Sequence, residues 1–242
     1  MNKIDLNIDN LTSLWESVSA PFDGFGQQPE FDYALLKDSE WPNRLWLKQD
    51  LSEIDLSQLR LQLIHQGSSV KVAHWVRQQT NQQPTFEKAG FELISSQLGM
   101  SLSLENLKAF PKEKLTVIPV IDTSTGEIWS ELFQEAFGYF IHPKQLILSN
   151  NTLAFVYSFE GTPVGTGLIH YTGTVAGIHA IGVPPAHRRN GYAAEIMHHL
   201  LNLALLKGCS VSTLQASDLG KALYLKLGYQ EDFSIQNYKL RH

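Results

Sequence analysis

A chain of 242 residues, 43% of them hydrophobic, can bury one or two substantial cores. Its formal charge of −5 argues against a nucleic-acid partner, which needs a basic stripe, and its single cysteine excludes an intramolecular disulfide or a Cys-x-x-Cys zinc site. No basic N-terminal region precedes an apolar run and no 18-residue apolar stretch occurs, so a soluble, cytoplasmic protein without a membrane partner is expected.

In chain order, Gly24–Pro29 reads as a loop. Arg44–Leu47 and Val70–Val76 read as strands. Between them a helix over Asp55–His65 carries Leu56, Leu59, Leu63 and Ile64, with Gly67 beyond its end. Leu98, Met100, Leu102 and Leu104 alternate as in a strand. Trp129, Leu132, Phe133, Ala136, Phe137 and Phe140 form a stripe of helical period, which reads as a core face. Thr152–Phe159 and Val164–Tyr171 read as strands joined at Gly161-Thr162-Pro163, and Ala176–Val183 completes an antiparallel meander. A helix over Ala194–Lys207, a strand over Cys209–Gln215, a helix over Asp218–Leu227 capped by Ser217 or Asp218, and a last strand near Asp232–Leu240 follow.

The run from Val183 to Ala193, Val-Pro-Pro-Ala-His-Arg-Arg-Asn-Gly-Tyr-Ala, joins the meander to a helix. The first N–H groups of a helix lack intrahelical acceptors and carry the positive end of its dipole, so they can hold a phosphate. Gly191 permits a positive φ and close approach of a ligand, and Arg188 and Arg189 add charge. No Gly-x-x-x-x-Gly-Lys-[Ser/Thr] run is present, and Arg188-x-x-Gly191-x-Ala193 does not have the spacing of a dinucleotide fingerprint. An ordinary strand-to-helix turn with two solvated arginines is the competing reading.

That spacing resembles the [Gln/Arg]-x-x-Gly-x-[Gly/Ala] loop of the GNAT superfamily of acetyl-CoA-dependent N-acetyltransferases. A second stretch, Ala216 to Tyr229, resembles the closing signature of the same family, Asn-x-x-Ala-x-x-Leu-Tyr-x-Lys-x-Gly-[Phe/Tyr]. The order of elements from about Leu115 to Leu240 is also the family's. The resemblance implies an α/β (α+β) GNAT fold, a mixed, mostly antiparallel central sheet flanked by helices. It implies acetyl-CoA as acyl donor, its diphosphate held by the loop and helix start at Arg188, Arg189, Asn190, Gly191, Tyr192, Ala193 and Ala194. It implies that the pantetheine arm pairs with the strand around Ile181 and Val183, near a splay from the next strand. Tyr224 stands where the family's leaving-thiolate acid stands. Ser217 replaces an Asn common at that position, and a hydroxyl can still donate and accept there.

Transfer to an amine needs a pinned thioester, a polarised carbonyl and a route for the amine proton. Gly177 to Val183 resembles the Ile-His-Ala strand of arylalkylamine N-acetyltransferases, with Gly177 in place of an upstream histidine. Alternation puts His179, Ile181 and Val183 on one face. His179 is then either the base, with an ordinary pKa of about 6.5, or a histidine satisfied inside the sheet. His198-His199 have no accompanying ligand set, so no metal is expected, and His142 and His170 are incidental.

Phe86-Glu87-Lys88-Ala89-Gly90-Phe91 repeats the form of Tyr224-Leu225-Lys226-Leu227-Gly228-Tyr229, each leading into a strand. With a boundary at Glu105–Lys114, the expectation is a smaller, degenerate GNAT-like domain at 1–110 in tandem with a catalytic domain at 111–242. The halves either share a sheet or form separate lobes. The expected activity is acetyl transfer from acetyl-CoA to an amine acceptor, by a monomer or a homodimer. A longer acyl donor, a non-catalytic acyl-CoA sensor and a nucleotide-binding regulator are the alternatives.

Overall fold

One eleven-stranded sheet spans both halves of the chain in the computed structural model, which describes residues 2–48, 56–66, 70–77, 82–111, 114–147 and 151–241. The N-terminal half contributes α1 (Lys3–Ser19), β1 (Phe25–Gln27), β2 (Phe31–Ala34), β3 (Arg44–Leu47), α2 (Leu56–Gln66), β4 (Lys71–Val76), α3 (Gln83–Lys88) and β5 (Phe91–Ser103). Next come β6 (Thr116–Pro119), α4 (Thr123–Phe137), α5 (Lys144–Ile147), β7 (Thr152–Phe159), β8 (Thr162–Thr172) and β9 (Val175–Gly182). The chain closes with α6 (Tyr192–Leu206), β10 (Val211–Ala216), α7 (Asp218–Lys226) and β11 (Gln230–Leu240).

Most expected elements are found within a few residues. Asp55 and Gly67, expected at the two ends of a helix, lie outside the described residues. Gly24–Pro29 is not wholly a loop. Its Phe25–Gln27 pairs antiparallel with β2, and Gly26 is tolerated in this edge strand because the Tyr33 ring lies over it.

The strand order is β1-β2-β3-β4-β11-β5-β10-β9-β8-β7-β6, so the halves share a continuous sheet rather than forming separate lobes. They also exchange strands. β11, last in the chain, lies between β4 and β5, while β5 of the N-terminal half lies between β11 and β10. Gly99 makes the crossing possible, since a Cβ there would lie 2.1 Å from the Phe233 ring. Phe233 packs instead with Trp15 and Trp75, while Met100 and Leu102 of the same β5 enter the core under α6.

Helix α1 crosses the seam. Asn2 caps it by accepting from the Asp5 N–H at 3.0 Å, and its Ile8, Leu11 and Trp15 pack with Trp46 and Ile235. Leu14 and Val18 pack on the other side with Trp129 and Phe133 of α4. On the opposite face of the sheet, Ile196, Met197, Leu200, Leu201 and Ala204 of α6 are fully buried, as their spacing predicts.

Tyr238 of β11 is fully buried and stacks on Phe86 of α3 with ring centroids 3.9 Å apart. Tyr238→Ala is therefore expected to cost about 3–5 kcal/mol. Urea unfolding followed by tryptophan fluorescence should show one transition at a lower midpoint, because both halves hang on the same strands. A second transition persisting at the wild-type midpoint would contradict the shared sheet.

Candidate active site

The parallel strands β9 and β10 pair only at Val175–Val211, Ala176–Ser212 and Gly177–Thr213, and then part. A bulge marks the parting. Ala180 is in the left-handed region (φ 54°), the β8–β9 register shifts between Thr166/Gly182 and Leu168/His179, and the Thr166 hydroxyl donates to the Ala180 carbonyl at 2.9 Å. Beyond the bulge lies a cavity of about 810 Å³, running from Arg189 and Ala193 at one end to Arg44 and Lys71 at the other.

The bulge corrects one expectation. An extra residue flips the phase of a strand, so His179, Ile181 and Val183 do not share a face. Register pairs His179 with Leu168, on the side of α1 and α4, whereas Ile181 and Val183 pack toward the core under α6. All three still line the cavity, because it passes through the gap.

At the first end, the N-cap of α6 is Gly191 at φ 83°, and no side chain caps the helix. Tyr192 and Ala193, its first helical residues, have N–H groups without intrahelical acceptors. A Cβ on Gly191 would meet no protein atom within 4 Å, so the space beside it is open. The loop before it is held from within. Arg188 donates from Nε to Val183 O at 3.0 Å and from Nη2 to Ala136 O at 3.2 Å, tying the loop to α4. The Asn190 amide donates to His187 O at 3.1 Å and Arg188 O at 3.3 Å. Arg189, at φ 66°, is exposed and has no side-chain partner among the described residues. The Tyr192 ring packs on Phe159 at 5.7 Å, and Ala194 N–H is turned inward to Gly191 O at 3.0 Å. These observations fit an anion held by backbone amides around Gly191.

Tyr224 and Ser217 face the same cavity from α7. The Tyr224 ring rests on Gly220, where a Cβ would lie 2.9 Å away, and its hydroxyl has no protein partner among the described residues. Burial pushes its pKa up to about 12, so it keeps its proton at neutral pH. Ser217 is the N-cap residue of α7, yet its side chain makes no capping bond and stays exposed to the cavity.

His179 sits at the end of an amide relay that reaches back to α1. Asn7 Nδ2 donates to the carbonyls of Met100 (3.0 Å) and Leu214 (3.3 Å), which leaves its Oδ1 to accept from Gln215 Nε2 at 2.7 Å. Gln215 Oε1 therefore faces His179 Nδ1 at 3.1 Å, and the proton of the neutral ring belongs on Nδ1. Asn10 Nδ2 donates to His170 O at 3.1 Å and to the Thr172 hydroxyl at 2.9 Å, so its Oδ1 faces His179 Nε2 at 3.4 Å. That oxygen fills the space left by Gly177, where a Cβ would lie 1.7 Å from it. Burial, with His170 nearby, pushes the His179 pKa down to about 3.

His170, His198 and His199 are held structurally. His170 is buried between the Thr152 hydroxyl at 2.8 Å and Ser13 at 3.1 Å, and burial lowers its pKa to about 4. His199 bonds the Tyr157 hydroxyl at 2.9 Å, His198 stacks on Phe110, and no metal-holding cluster occurs among the described residues. Of the aromatic stripe, Trp129, Phe133 and Phe137 line the cavity. Sequence reasoning missed Asn7, Asn10 and Gln215, and at the far end Arg44 and Lys71. The Asn-x-x-Asn spacing on an amphipathic helix was the one available signal.

Residues 118–229 match the acetyltransferase (GNAT) family. No curated protein matches the sequence. Among solved structures, a GCN5-related N-acetyltransferase from Kribbella flavida is similar at 16% identity and a TM-score of 0.67, over 95% of this chain and 96% of that one. One from Sphaerobacter thermophilus matches at 17% identity and a TM-score of 0.63, over 98% and 91%. A tandem GNAT protein from the clavulanic acid biosynthesis pathway matches at 11% identity and a TM-score of 0.60, over 86% and 77%. At these identities the likeness shows the fold.

The buried histidines make stability depend on pH in a definite direction. With folded values near 3 and 4 against about 6.5 unfolded, His179 and His170 bind protons in the unfolded chain that the fold refuses. Their contribution to stability is intact above pH about 6.5 and is lost as pH falls toward those folded values. The melting temperature should fall between pH 6.5 and 4, and His179→Gln should flatten that fall. An unchanged slope in the variant would contradict the assigned burial.

Proposed function

We propose that the chain, whose residues 118–229 match the acetyltransferase (GNAT) family, moves an acetyl group from acetyl-CoA to an amine. One observation carries this reading. The gap between β9 and β10 opens onto the uncapped start of α6, so one continuous cavity joins an anion cradle to a tyrosine hydroxyl and a histidine.

In this reading the amides of residues 189–193 hold the diphosphate of the donor, and the backbone at Ile181–Val183, left without a β10 partner, receives its extended arm. The donor supplies a thioester carbon open to attack by an amine. Fixing both reactants in the gap removes much of the entropic part of the barrier. Tyr224, protonated at neutral pH, delivers a proton to the departing sulfur. His179 takes the amine proton at Nε2. The imidazolium so formed donates to Gln215 Oε1 and Asn10 Oδ1 together, which offsets part of the desolvation that disfavours its charge. Ser217 offers a hydroxyl to the arm.

We also propose that 1–110 and 111–242 are tandem GNAT-like units. The recurrence of an aromatic-Gly helix stop before β5 and before β11, and the exchange of those two strands, support it. The halves would then be related units that trade last strands. No helix among the described residues is long and apolar enough to cross a membrane. The buried free thiol of Cys209 suits a reducing compartment, and we place the protein in the cytoplasm.

Acetyl-CoA at a hundred times its Kd should stabilise the fold by about 2.7 kcal/mol, seen as a rise in melting temperature. Gly191→Val should abolish the rise, since a β-branched residue is strained at positive φ and its side chain enters the cradle. With an amine panel and thiol release as readout, Tyr224→Phe and His179→Ala should each lower kcat by about 10²–10⁴-fold, with KM for acetyl-CoA little changed. No thermal rise with wild type, or full activity in both variants, would overturn the reading.

A further inference from the structure

The end of the cavity away from the cradle is built around two cations. Arg44 and Lys71 are register partners on the adjacent parallel strands β3 and β4, so their side chains leave the sheet side by side on one face. The Arg44 guanidinium lies 4.5 Å over the Trp15 ring, donates from Nε to Pro42 O at 2.9 Å and reaches Asn237 Oδ1 at 3.5 Å. The Lys71 ammonium lies 5.9 Å from the Tyr139 ring centroid. Among the described residues neither cation has a carboxylate oxygen within 4.0 Å. Among the described residues Glu40 is the only acidic one lining the cavity, and it is exposed, its Oε2 accepting from the Phe140 N–H at 2.6 Å.

Two like charges held together with one exposed carboxylate nearby leave a net positive charge at this partly buried end of the cavity. Burial pushes Arg44 down to about 10, and burial and Arg44 itself lower Lys71. Such an arrangement costs stability unless an anion completes it. A guanidinium offers a planar fork that matches a carboxylate, and a lysine beside it adds a point charge. Between this pair and His179 the walls are aromatic, with Trp15, Trp41, Phe133 and Tyr139.

Helix α1 measures the separation. Asn10 touches His179 and Trp15 touches Arg44, five residues further along, so about 7.5 Å of axial rise and a turn of about 140° around the helix separate the two contacts. The amine and carboxylate of a free α-amino acid sit on one carbon and cannot span that. An extended dipeptide spans about 7 Å. We infer that the amine acceptor carries a carboxylate at least one dipeptide length from its amine, gripped by Arg44 and Lys71 with its apolar body against the aromatic walls. This rests on the proposed acetyl transfer only for which end is acetylated.

Calorimetric titration of glycyl-phenylalanine, its C-terminal amide and free phenylalanine, without acetyl-CoA, tests the site separately from turnover. Wild type should bind the dipeptide acid about tenfold or more tighter than the amide, and free phenylalanine more weakly than the dipeptide acid. Arg44→Gln and Lys71→Met should each erase most of the difference between acid and amide; where the first fails to fold, the second carries the test. Equal binding of acid and amide, no binding of either, or discrimination kept in the folded variants would overturn the proposal. If the dipeptide acid binds through Arg44 while acetyl-CoA gives no thermal rise, the transferase reading falls and the carboxylate site stands.

Discussion

Beyond Gly177 and Thr213, strands β9 and β10 no longer bond to one another, and the cavity exists only while they stay apart. Parallel strands with unpaired edges would ordinarily close or fill with water, because buried backbone groups need partners. Here two carbonyls of the parting strands are taken up by side chains. Thr166 occupies the Ala180 carbonyl and Asn7 occupies the Leu214 carbonyl, while the left-handed turn at Ala180 aims the β9 backbone away from β10. The wedge comes largely from α1, the first helix of the chain. Both halves of the chain therefore line the same cavity.

The strand exchange explains how that wedge is held. β5 is hydrogen-bonded on both sides by strands from the end of the chain, and β11 by two strands from the start. Neither half can move without breaking a central ladder of the other. Rigid support of this kind lets α1 set the position of Asn7 and Asn10 at one end and of Trp15 at the other, along one straight element. The charge distribution follows the same logic. The chain is acidic overall, yet the far end of its cavity is cationic, and the local field there is set by two residues rather than by the sum.

Much of this was legible in the sequence where the signal is local. Gly191 after two arginines, the stripe Ile196 to Ala204, and the Lys-x-Gly-Tyr stop after Tyr224 each encode a turn or face within a dozen residues, and each appears where expected. What escaped was non-local. His179 was expected to share a face with Ile181 and Val183, but a one-residue bulge at Ala180 leaves no mark in an alternating pattern. Asn7 and Asn10 look like the polar face of an amphipathic helix until the fold buries both against the sheet. Arg44 and Lys71 lie far apart in sequence on two strands that pair only in the folded sheet, so nothing in the chain announces that they meet.

In the proposed function the opening of α6 grips a diphosphate while the parted strands hold the arm attached to it. A crystal structure of the protein with coenzyme A is the decisive experiment. The diphosphate oxygens should lie within hydrogen-bond distance of the backbone amides around Gly191, and the pantetheine arm along Ile181–Val183 between β9 and β10. A coenzyme bound elsewhere on the molecule, or strands β9 and β10 closed over an empty gap, would contradict it.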